Sequence, residues 1–274
     1  MLKSDIVHLA DEHHGSLFLR ANTKTSEATL DGTSERETLK NGLANEHSAT
    51  ACKFLLNFHG VGAPHAEVTA AEQPFWIATN TFAQWIQNSK LMEREFRISI
   101  VPSFDDGNIS DLDIVAPVLA ENNMPGLFFP CVGRIAQKQY LGDAQILALA
   151  RMGHEIGSHG VHHVPWTLLD AKALNWEIHY SKDYLESLLN TAIESVAVPF
   201  GAYNRRVLSA LRKAKYTRIY TTDRGLTDGA DRLLNRYSVR KQDDPRHLRN
   251  ILQRLNSRPF KVLSRLKTVI KSML

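Results

Sequence analysis

Cysteine is nearly missing from this chain: two in 274 residues, Cys52 and Cys131, neither with a second cysteine at CxxC spacing. That excludes a disulfide framework and a thiolate zinc site. Both lie in apolar runs that suit buried free thiols. Long apolar runs are missing too. No stretch of ~18 apolar residues occurs, so no membrane-spanning helix is expected. The first residues lack an apolar segment after Lys3, so no secretory signal peptide is read. A cytoplasmic enzyme is expected, with the inner membrane face as the alternative station. Charge is nearly balanced, 33 basic against 29 acidic residues, net +4. With no aromatic-rich basic stripe, nucleic acid is not an expected partner. Internal repeats and low-complexity tracts are also lacking.

What is present is enough apolar material for one core: 43% of the chain is hydrophobic. Residues 1–50 are polar and weakly patterned, an expected extension and partly mobile, with one short strand over 16–19. From Lys53 the texture changes. Strands are expected over 54–59, 97–101, 127–129, 155–158, 195–198 and 218–222. Helices are expected over 79–89, 144–152, 170–189 and 204–213. Ser110 (with Asp113 three residues on), Asp143 and Asp170 read as helix caps. Strands alternating with helices at this spacing predict a parallel sheet of βα units. Polar residues gather at the strand ends: His59, Asp105, Asp106, His159 and Asp223. In βα barrels the site is built at those ends.

Two of these clusters carry chemistry. Asp105-Asp106 follows a strand and precedes Gly107, so one carboxylate can bind a cation while the other stays free as a base. His159-Gly-Val-His162-His163 places two imidazoles four residues apart. Two His and one carboxylate leave positions open for water, as a catalytic zinc site needs.

The run Val101-Pro-Ser-Phe-Asp-Asp-Gly107 resembles the first motif of the polysaccharide deacetylases, carbohydrate esterase family 4. Gly153-His-Glu-Ile-Gly-Ser-His-Gly-Val-His-His163 resembles their second motif, and Leu127-Phe-Phe-Pro130 the strand between them. The resemblance covers roughly residues 53–240. It implies a single distorted (β/α) barrel of about seven units. It further implies that Asp106, His159 and His163 hold a divalent metal ion, usually Zn2+, and that Asp105 is the general base on the attacking water. His162 could compete as a ligand, but the family spacing favours His163.

Two departures stand out. The third motif, Arg-x-Pro-aromatic-Gly, reads Ala197-Val-Pro-Phe-Gly201. The Phe200 backbone N–H can still serve an oxyanion hole. The Arg that pairs with the base is missing, with Arg205, Arg206 and Arg224 as candidate substitutes. The family's closing Leu-x-His is missing as well. Leu56-Asn-Phe-His59 on the first strand resembles instead the circularly permuted branch, the poly-N-acetylglucosamine deacetylases. This implies that His59 protonates the leaving amine. Asp223 is expected to orient or tune His59, and Trp166 either stacks on a sugar ring or packs in the core.

Past Pro259, Val262, Leu263, Leu266, Val269, Ile270, Met273 and Leu274 recur at helical spacing among Lys261, Arg265, Lys267 and Lys271. Such a basic amphipathic helix packs on a barrel or lies on an anionic membrane. The expected division is thus an extension over 1–50, a catalytic domain over 51–245 and basic C-terminal helices over 246–274. The expected function is metal-dependent removal of an N-acetyl group from an amino sugar in a polysaccharide or lipid-linked glycan. A deformylase or other amide hydrolase of the same superfamily is the first alternative, and an inactive carbohydrate-binding homologue the second.

Overall fold

β1 (Lys53–Phe58) has Phe54, Leu56 and Phe58 on one face and Leu55 and Asn57 on the other. This alternation marks a strand with both faces buried. The computed structural model describes residues 52–227 and 231–273. The expected extension over 1–50 and the strand over 16–19 lie outside the described residues.

After β1 come β2 (Gly60–Val61), β3 (Trp76–Ile77), α1 (Thr79–Phe96) and β4 (Ser99–Asp106). A π turn, Asp111–Val115, leads into α2 (Ala116–Glu121). Next are β5 (Leu127–Pro130), α3 (Asp143–Arg151), β6 (Glu155–Ile156), α4 (Ala171–Leu189) and β7 (Ser195–Ala197). The chain continues through α5 (Arg205–Lys213), β8 (Arg218–Thr221), β9 (Leu233–Ser238), α6 (Leu248–Asn256) and α7 (Arg258–Met273).

Seven strands pair in parallel in the order β6-β5-β4-β1-β9-β8-β7. A parallel bridge between Ser158 and Val196 joins the two outer strands. The result is a nearly closed, distorted (β/α) barrel. Leu55, Phe129, Ala197, Tyr220 and Leu234 fill its axis. On the outer side of the sheet, Phe58, Phe104 and Phe128 stack in sequence at 5.6 and 4.8 Å, and Phe82 of α1 meets Phe58 edge-on at 5.2 Å. Each such pair adds about 0.5–1.5 kcal/mol to simple burial.

Several local expectations change. α1 runs to Phe96, well past residue 89, and ends at Arg97 in the left-handed region (φ 51). Ser110 stands at the N-cap position of the Asp111–Val115 turn but makes no side-chain capping bond; its Oγ accepts from the Val61 N–H instead. Asp143 lies inside α3, whose cap is Gly142, and its carboxylate accepts from the Tyr184 hydroxyl. Asp170 does cap α4, accepting from the Ala173 N–H at 2.8 Å. β9, which no periodicity announced, pairs directly with β1.

Candidate active site and metal centre

Asp105 and Asp106 end β4, and the backbone separates them. Asp106 has φ 76 and Gly107 φ 74, two successive left-handed residues. Such a turn is costly for a side chain other than Gly, Asn or Asp. It leaves Asp105 toward the barrel axis and Asp106 toward the histidine loop.

Asp106 Oδ1 lies 3.3 Å from His163 Nε2 and 3.7 Å from His159 Nε2. Donors about 2.0–2.2 Å from one tetrahedral ion sit at about this separation from each other. The Nδ1–H of His159 is given to the Ala197 carbonyl at 2.8 Å, which leaves the Nε2 lone pair facing Asp106. A metal-binding imidazole is ordinarily fixed in this way. Asp106 Oδ1 is buried and accepts no hydrogen bond, although the Arg134 guanidinium stands 3.4 Å away. A buried carboxylate oxygen without a donor, facing two imidazole nitrogens, fits a cation. His162 is not part of this set: its ring is largely exposed and Nδ1 meets Glu177 at 2.6 Å.

Asp105 is held on the other side. Arg236 of β9 gives Nη1 to Oδ1 at 2.7 Å and Nη2 to Oδ2 at 2.8 Å, and Asn57 Nδ2 adds a third bond at 3.0 Å. Burial alone would raise the Asp105 carboxyl. The Arg236 guanidinium, then His159, outweighs it and holds the group well below the usual carboxylate range. Arg236 is itself wholly buried, its guanidinium over the rings of Phe129 and Tyr220.

Arg236 therefore supplies the guanidinium that Ala197 lacks. None of the expected substitutes touches Asp105. Arg205 is exposed, Arg206 bonds the carbonyls of Trp166 and Thr167, and Arg224 lies over Tyr237.

His59 follows β1 with its ring on Phe75, centroids 4.8 Å apart. Burial lowers its pKa, against upward pulls from Asp106 and Asp105. Its Nδ1 is buried with no partner. The expected tuning by Asp223 does not occur: Asp223 accepts from the Tyr203 hydroxyl at 2.5 Å and pairs with Lys271 at 2.5 Å. The lysine helix claims it. Trp166 is no sugar platform either. It is fully buried under the histidine loop, with Nε1 toward Glu177 at 3.5 Å, and offers no face to a ligand.

Phe200 takes φ 57, half-exposed, with its ring 4.5 Å from His163. It borders a cavity of about 480 Å³ that also reaches His59, Asp105, Arg134, His159 and His163. The buried thiol of Cys131 donates to the Val161 carbonyl. Its pKa is pushed up to about 12 by burial first and Asp106 second, so it is no nucleophile.

Sequence reasoning missed Arg236, Asn57, Glu177 and Arg134. Glu177 is buried and accepts from the N–H groups of Val161 and His162 at 2.7 and 3.1 Å, which fixes the histidine loop. A signal existed: Glu177 interrupts the apolar stripe Leu174, Ile178 and Leu185 of α4. Asn57 likewise interrupts the apolar run of β1.

The model of the family described as "Polysaccharide deacetylase" matches residues 96–219. The Bacillus subtilis (strain 168) protein YxkH, named for the same family, is 27% identical over 126 residues, which are 46% of this chain and 45% of YxkH. The chain thus spans less than half the length of that curated relative. Among solved structures, the Streptococcus pyogenes deacetylase PplD, in complex with acetate, superposes with a TM-score of 0.65 at 21% identity, over 74% of this chain and 99% of that one. IcaB from Ammonifex degensii gives 0.62 at 19% identity, covering 74% and 97%. A de-N-acetylase from Aggregatibacter actinomycetemcomitans gives 0.62 at 16%, covering 73% and 100%. These structures share the fold, and the family model covers both the aspartate pair and the histidine loop. Residues 96–219 thus resemble the polysaccharide deacetylase family in sequence, and the barrel that carries them has the fold of these solved deacetylases.

Proposed function

We propose that this cavity hydrolyses the N-acetyl group of an amino sugar in a polysaccharide or lipid-linked glycan, with Zn2+ as the metal. One observation carries the reading: Asp105, clamped ionised by Arg236, stands beside a separate two-histidine, one-carboxylate set. A pure sugar binder needs no such base. The inactive-homologue reading rested on the missing motif Arg, and Arg236 removes that ground.

A divalent ion held by Asp106, His159 and His163 would polarise the acetyl carbonyl and acidify water at the site. Asp105 accepts the proton as the water oxygen attacks the carbonyl carbon. Its low pKa keeps it ionised at neutral pH, and Arg236 fixes its aim. The Phe200 N–H donates to the carbonyl oxygen as negative charge develops there. His59 delivers a proton to the nitrogen as the C–N bond breaks, releasing acetate and a free amine. The names of the S. pyogenes and A. actinomycetemcomitans structures, a deacetylase with acetate and a de-N-acetylase, favour acetyl as the acyl group.

The test is product analysis with N-acetylglucosamine oligomers, lipid-linked N-acetyl sugars and their N-formyl counterparts. Acetate release supports the proposal; formate release alone would turn the reading to a deformylase.

A further inference from the structure

An amphipathic helix ordinarily lays its apolar stripe on the body that carries it. α7 does the reverse. Apart from Phe260 near its start, which packs on the core, its inward contacts are polar: Ser264 Oγ donates to the Arg224 carbonyl at 3.0 Å, and Lys271 Nζ donates to Asp223 at 2.5 Å and to the Gly201 carbonyl at 3.3 Å. Val262, Leu263, Leu266, Val269, Ile270 and Met273 are left between 45% and 72% exposed. At about 3.6 residues per turn these six share one face. Lys261 and Arg265 border it on one side and Lys267 on the other.

The charge around this face has one sign. Residues 245–274 contain eight Lys and Arg and no Asp or Glu. Arg246, Arg249, Lys267 and Lys271 find carboxylates nearby. Arg254, Arg258, Lys261 and Arg265 have none among the described residues. Among those residues, no helix is long and apolar enough to cross a membrane.

We propose that α7 docks the protein on an anionic lipid bilayer. The apolar stripe sinks to the acyl boundary, and the flanking Lys and Arg reach lipid phosphates by extending their stems. Charge selects this occupant over a second copy of the chain. Pairing two α7 stripes would set two all-cationic surfaces against each other, which is repulsive. The docked helix is bonded to Gly201, Asp223 and Arg224, beside Phe200 and Thr222 of the cavity wall, so the cavity would open near the lipid surface. The proposal does not depend on the reaction performed there.

The experiment is co-sedimentation of the full chain with vesicles of phosphatidylcholine, with and without phosphatidylglycerol. The intact protein should pellet with the phosphatidylglycerol vesicles, stay in solution with phosphatidylcholine alone, and release as salt rises. The variant Leu263→Glu, Leu266→Glu, Ile270→Glu should bind at least about tenfold more weakly, with an unchanged circular dichroism melt. If that variant fails to fold, Arg258→Gln, Lys261→Gln, Arg265→Gln replaces it and should lose both binding and salt dependence. Intact protein that stays in solution with anionic vesicles overturns the proposal, as does equal pelleting of intact and variant protein. A concentration-dependent dimer abolished by the Glu variant, without vesicle binding, overturns it in favour of a second copy. Residues 1–51 turning protease-sensitive only in that variant overturn it in favour of the chain's own N-terminal segment.

Discussion

Arg236 of β9 and Asp105 of β4 form a two-bond clamp across the intervening β1, at 2.7 and 2.8 Å, with neither side chain open to bulk water. The arginine comes from β9, two strands from the Ala197 position of β7 where the family motif has its own. Arg236→Met leaves a buried carboxylate without its main partner, a loss of about 3–5 kcal/mol in chemical denaturation. The pH dependence follows from the sign of the shift. The folded pKa of Asp105 is depressed, so its stabilisation is present above the unfolded value of about 3.9 and is lost as pH falls through the folded value. In Arg236→Met the Asp105 pKa rises, so the acid limb of the activity profile should move to higher pH. An unmoved acid limb would separate the clamp from the base.

His59 is tested by the leaving group. His59→Gln should lower turnover of an N-acetyl amino sugar by about 10²–10⁴-fold. The same variant should hydrolyse 4-nitrophenyl acetate almost as the parent does, since nitrophenolate departs without a proton. Equal losses on both substrates would assign His59 to binding or folding rather than to proton delivery.

The barrel itself was legible. Alternating strands and helices, the Asp-Asp pair and the histidine loop lie in runs whose residue types declare their place, and Asp106, His159 and His163, the ligand set that the family resemblance implied, lie close enough together to hold a metal ion. What stayed hidden depends on contacts between distant segments. Asp105 and Arg236 are 131 positions apart, and β9 reads Leu-Leu-Asn-Arg-Tyr-Ser, with a charge where a buried strand is expected to be apolar. The choice between core and sugar contact for Trp166, and the partner of Asp223, stayed hidden for a related reason. Proximity in sequence to the histidine loop and to a strand end said nothing of what would cover them, which proved to be Glu177 for one and Lys271 for the other.

Glu177 positions the loop that carries both histidines. Glu177→Gln keeps the size but replaces one acceptor oxygen with a donor facing the Val161 and His162 N–H groups. Metal affinity should fall by about 10–100-fold, as for other residues that orient metal ligands, with the circular dichroism spectrum retained. His162→Ala, by contrast, should leave metal affinity near that of the parent. Competition titration with a chromogenic chelator reads both.

Trp166→Ala should cost about 3–5 kcal/mol of stability, the penalty for emptying a large buried site, with KM unchanged at temperatures where the variant is folded. A raised KM with unaltered stability would restore the sugar-stacking role.

The most direct measurement is acetate release by metal-free protein, zinc-reconstituted protein and zinc-reconstituted Asp105→Asn, side by side on N-acetylglucosamine oligomers and lipid-linked N-acetyl sugars. The account predicts release only with zinc, and its loss by at least about 10²-fold in a folded Asp105→Asn that binds zinc like the parent. Undiminished release from Asp105→Asn, or equal release from the metal-free protein, would contradict it.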